Sequence, residues 1–160
     1  MGGEASTKYP ISTATAIIDI TLSLDTSAYA QHDVLAATQV VADAFRAAGT
    51  GVLQSVVLND YDYNARAIDL IFLSANTAIG TENDAVTMAD NANVLGVVQV
   101  TAANYIDMIN SQFATKSGAD CGFGLKGVGP QMWVGAVYRD ATGDTYTAAG
   151  LRLKLTILQD

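Results

Sequence analysis

Histidine and cysteine are almost absent from this chain: His32 and Cys121 are the sole representatives of their types in 160 residues. A single thiol excludes an intrachain disulfide and a multi-cysteine zinc site. A single imidazole excludes the several His ligands that a cupin-like metalloenzyme requires. Charge is sparse too. Charged residues make up 15% of the chain and only eight are Lys or Arg, scattered rather than clustered. With a net charge of −8 the chain repels phosphate backbones, so no nucleic-acid partner is expected. No run approaches the roughly 18 apolar residues of a membrane span, and Met1 to Pro10 lacks the charged-then-apolar order of a secretion signal. A soluble chain with no membrane partner, made in a reducing cytoplasm, is expected.

What is present is apolar and neutral-polar. Hydrophobic residues reach 50%, so the faces outside the core must carry mostly Thr, Ser, Asn, Gln and Ala. Such a surface suits lasting contact with other protein better than life as a free monomer. The length suits one domain.

Alternation dominates both ends. Leu151-Arg152-Leu153-Lys154-Leu155-Thr156-Ile157 and Ile18 to Asp25 place apolar and polar side chains on opposite faces, the pattern of half-wet strands. Residues 1–16, rich in Gly, Ser, Thr and Ala, read as an extended N-terminal arm, and residues 17–160 as a single domain. Val34 to Ala48 has apolar residues at helical spacing between Asp33 and Gly49, yet also divides into two short strands at Asp43. Val52 to Leu58 and Ile68 to Leu73 are strand-length apolar runs that read as a hairpin. Ser74 to Asn93 is a polar stretch long enough for a working loop. Leu95 to Val100 and Gln131 to Arg139 are further strands, and 102–113 is open between a helical turn and a strand. About eight antiparallel strands with no βαβ alternation predict an all-β fold, a β-sandwich or jelly roll.

The chemical motifs are incomplete. Gly122-Phe123-Gly124-Leu125-Lys126-Gly127 matches a dinucleotide-binding fingerprint, but Gly129-Pro130 follows where a helix should begin. Asp60, Asp62 and Asn64 supply the opening of a calcium loop. Ala65 then stands where Gly is needed and Ile71 where Glu is needed, leaving only a loose surface calcium site at Asp60 and Asp62. No serine lies in a nucleophile elbow and neither His32 nor Cys121 has a local partner signature. Tyr61, Tyr63 and Trp133 are candidates for a sugar-stacking face, against the ordinary reading of hairpin-tip tyrosines and a core tryptophan. No catalytic residue, cofactor or resident metal is expected.

Several segments together, Thr26 to Val34, Ala44 to Asp60, Ile68 to Leu73, Leu95 to Val100 and Tyr146 to Asp160, resemble the jelly-roll cement or decoration proteins of tailed-bacteriophage capsids. The resemblance implies a homotrimeric structural virion protein, made in the host cytoplasm, that sits on the outer capsid surface. There it would bind the major capsid protein and clamp neighbouring subunits against internal DNA pressure. It also implies strand for Val34 to Val41. Contacts would fall on the arm at Thr7, Tyr9 and Ile11 and on the loop at Asn83, Asp90 and Asn91. A carbohydrate- or receptor-binding or tail-associated virion module is the alternative.

Overall fold

A computed structural model describes residues 14–47 and 49–159. The described chain is built of ten strands: β1 Ala14–Thr21, β2 Val34–Val41, β3 Thr50–Asp60, β4 Ile68–Leu73, β5 Val94–Val100, β6 Tyr105–Asp107, β7 Gln112–Ser117, β8 Gly124–Lys126, β9 Met132–Tyr138 and β10 Leu151–Gln159. They form two antiparallel sheets. The larger runs β1-β10-β3-β7-β6, with β8 pairing beside β7 on the same edge of β3, and the smaller runs β2-β9-β4-β5. The eight longer strands pair first with last, second with next to last, and so on inward: β1 with β10, β2 with β9, β3 with β7, β4 with β5. That is one long hairpin rolled into two layers, the pairing of a jelly roll. The expected all-β sandwich is therefore present, and its two strands beyond eight are the three-residue β6 and β8.

The inner faces meet in one core. Leu151, Leu153, Leu155 and Ile157 of β10 lie against Leu70, Phe72, Val134 and Ala136 of the smaller sheet, all fully buried. Their burial follows the two-residue period that the closing sequence displays. At one end of the sandwich Tyr29 stacks on Tyr138 at 5.9 Å and meets Tyr146 edge-on at 6.1 Å.

Several expectations change. Val52–Leu58 and Ile68–Leu73 are not a hairpin: β3 lies in the larger sheet and β4 in the smaller, so the intervening segment crosses between layers. Asp60 drives that crossing. Its fully buried carboxylate accepts the backbone N–H of Asp62 at 2.9 Å and of Ala65 at 2.8 Å, curling the chain around it. Tyr63 and Ala65 accordingly adopt positive φ. Ala14 to Ala16, assigned to the arm, pair with Gln159 to Ile157 because β10 extends far enough to receive them. β1 ends at Thr21, though Leu22 and Leu24 stay buried and bond Leu151 and Ala148 across the same edge. Val34–Val41 is strand, and no strand forms at 44–47 among the described residues. The open stretch 102–113 is both things in turn: a 3₁₀ turn at Ala102–Asn104, then β6.

Candidate protein-contact surface

Chemistry-bearing residues are dispersed. Among the described residues no three of His, Cys, Asp and Glu gather into a group that could hold a metal. Asp60 and Asp62 are engaged internally: Asp62 Oδ2 accepts the backbone N–H of Thr147 at 2.8 Å and the Thr147 hydroxyl donates to the same carboxylate. Both carboxylates thus serve the fold, holding the crossing segment and Thr147 in place. Burial raises Asp60 above its ordinary value despite the backbone donors around it.

His32 is exposed and its Nδ1 accepts from Arg139 at 2.8 Å, while Arg139 is paired with Asp69 at 3.1 Å. Cys121 is buried, which pushes its thiol up, and its Sγ lies 3.5 Å from the Lys116 carbonyl, to which it donates. The glycine-rich segment is a strand. Gly124–Lys126 pairs with Thr50–Val52, and the Phe123 ring lies over Gly96, where a Cβ would come within 2.6 Å of it. No helix follows, so the fingerprint lacks its phosphate cradle.

Of the aromatic candidates, Trp133 and Tyr61 lie on different sheets. Trp133, half-buried, packs on the outer side of the smaller sheet beside Leu73 and Val94. Tyr61, on the outer side of the larger sheet, carries the Arg152 guanidinium 5.1 Å from its ring centroid. The stretch 74–93 is a cover more than a free loop. Ile79 is fully buried and packs with Val34, Ile71, Leu73 and Val137, while Val86 and Met88 close over them. Of the candidate contacts there, Asn83 is committed to this cover: its N–H donates to the Val34 carbonyl at 2.9 Å and its side-chain amide to Asp25 at 3.4 Å. Asp90 and Asn91 are exposed, Asp90 capping a local turn by accepting the Ala92 N–H at 2.8 Å. Thr7, Tyr9 and Ile11 lie outside the described residues.

Among the described residues no segment covers the larger sheet in this way. Its outward rows run Thr21–Arg152–Asn59–Phe113–Ile106 and Asp19–Lys154–Val57–Thr115 across neighbouring strands. Between β1, β10, β3 and β7 they leave a hollow of about 430 Å³. Lys154 pairs with Asp19 at 3.1 Å at its rim. Beyond the β6 edge the chain forms an apolar tip: Ile106, Met108 and Ile109 are exposed, Ile109 by 88%. Ile109 also sits at φ 72°, a left-handed conformation unfavourable for a β-branched residue. Asp107 holds it there by accepting its N–H at 2.8 Å. Sequence reading missed this tip, although Tyr105-Ile-Asp-Met-Ile109 shows the signal: large apolar residues that fit neither a helical face nor a clean alternation.

Compared with known protein families and with curated proteins, the chain matches none.

Proposed function

We propose that the chain is a structural virion protein that binds the outer surface of a tailed-phage capsid as a homotrimer and clamps neighbouring major capsid subunits. The observation that carries this reading is the preformed apolar tip at Ile106, Met108 and Ile109, next to a sheet face that no described segment covers. A solvent-facing isoleucine held in a left-handed conformation costs the isolated chain stability, and a partner that covers it adds the burial the chain itself does not supply. The jelly roll, the low charge and the segments that resemble capsid decoration proteins agree with it. Its mechanism is mechanical. Separating subunits bridged by the clamp requires exposing the buried interface, which at standard size is about 1,600 Å² in total, and three linked copies raise the effective concentration of each contact.

Quantitative mass spectrometry of purified particles tests the proposal. A copy number comparable to that of the major capsid protein is expected. A handful of copies would move the chain to the tail, and its absence from particles would overturn the reading.

A further inference from the structure

Two polar groups in the hollow on the larger sheet are unmatched. Arg152 lies over Tyr61 but joins no ion pair among the described residues, whereas Lys154 beside it is neutralised by Asp19. Asn59, the next residue in the same row, has its Oδ1 enclosed without a hydrogen-bond donor. Half-buried Val57 and Phe113 supply apolar walls beside them. A cation without a counter-ion, in a chain of net charge −8, attracts a carboxylate. An enclosed carbonyl without a donor calls for an N–H.

An acidic residue within an extended polypeptide meets all of these requirements together. Its carboxylate forks onto the guanidinium, a neighbouring apolar side chain covers Val57 and Phe113, and the Asn59 side chain turns about its own bonds to bring the enclosed Oδ1 out to a backbone N–H. We propose that this hollow is a docking site for an extended acidic and apolar segment of a partner protein. The proposal deepens the assembly reading and rests on it for the partner's identity, but the site itself is testable without particles.

The test titrates the full chain, labelled with ¹⁵N, with capped Val-Glu-Val peptide, capped Val-Gln-Val peptide and sodium acetate. The glutamate peptide is expected to bind in the millimolar range, shifting the amides of Asn59, Tyr61, Phe113 and Arg152, and to weaken with added salt. The glutamine peptide and Arg152→Gln are each expected to weaken it about tenfold, the worth of one charge-assisted hydrogen bond. Arg152 is exposed, so the variant keeps its fold, and an unchanged amide spectrum elsewhere verifies that. Equal binding of the two peptides, equal binding of acetate, or no shift at these residues would overturn the site. A chain that binds the glutamate peptide but is absent from particles keeps the site and loses the capsid reading.

Discussion

On the smaller sheet β4 sends Ile71 and Leu73 outward as well as Leu70 and Phe72 inward, and the strap around Ile79 covers the outward pair. On the larger sheet β10 sends Arg152, Lys154 and Thr156 outward, and none of them is buried. A strand covered on both sides can be apolar along its length, whereas one covered on a single side must alternate. The smaller sheet closes its outer face over Ile71 and Leu73 with its own chain, though Val40 and Val97 on that face stay exposed. No described segment covers the outer face of the larger one, and its edge ends in the exposed tip.

The sharpest way to break this contrast is to truncate an isoleucine on each side. Ile79→Ala removes a fully buried side chain and should cost about 2–5 kcal/mol. Ile17→Ala, 64% exposed on the larger sheet, should change stability by less than about 0.5 kcal/mol. Urea denaturation of the two variants compares them directly, and equal losses would show that the covered and open faces do not differ.

At the crossing between the layers, Asp60→Ala strips the acceptor from two backbone N–H groups and should cost about 1–3 kcal/mol. Its titration has a sign of its own. Because burial raises Asp60 above 3.8, the folded chain keeps this proton to higher pH than the unfolded chain does. From this group alone, stability is fully present below the ordinary carboxylate value and declines as pH rises through the raised value. Asp60→Asn should remove that decline from the stability–pH profile; an unaltered slope would mean that other groups produce it.

Gly135→Ala probes the cover more gently. Its Cβ would stand 2.6 Å from Ile79 Cδ1, the mobile end of that side chain, so a loss of about 1 kcal/mol is expected in thermal melts. The smallest change in stability belongs to the tip. Ile109→Gly relieves the left-handed strain and should shift stability by less than about 1 kcal/mol, while on the proposed capsid reading particles grown with it are expected to carry fewer copies. Full occupancy of the particles would remove the tip from the contact surface.

Much of the fold was legible along the chain. The alternating ends became the paired strands β1 and β10, and the turn signal at Asp25 is real, its carboxylate accepting the Ser27 N–H at 2.7 Å. Val34–Val41 looked helical for a physical reason: β2 carries two register shifts against β9, so Val34, Leu35 and Ala36 are all buried and the two-residue period is lost. The expected hairpin failed because Asp60, which reads as an ordinary loop residue, is buried and turns the chain into the opposite sheet. The open face was less legible, since Arg152, Asn59 and Phe113 are distant in sequence and become neighbours only through strand register.

Sequence alone determined which residues of the alternating end strands β1 and β10 face the core, because the side-chain period of a strand is local and survives any choice of partner. It also determined the scarcity of charge, thiol and imidazole. Tertiary structure alone decided which strands pair, which outer face the 74–93 strap closes, and that Arg152 has no counter-ion among the described residues while Lys154 beside it has one. Those outcomes depend on contacts between residues far apart in the chain, and no local pattern encodes them.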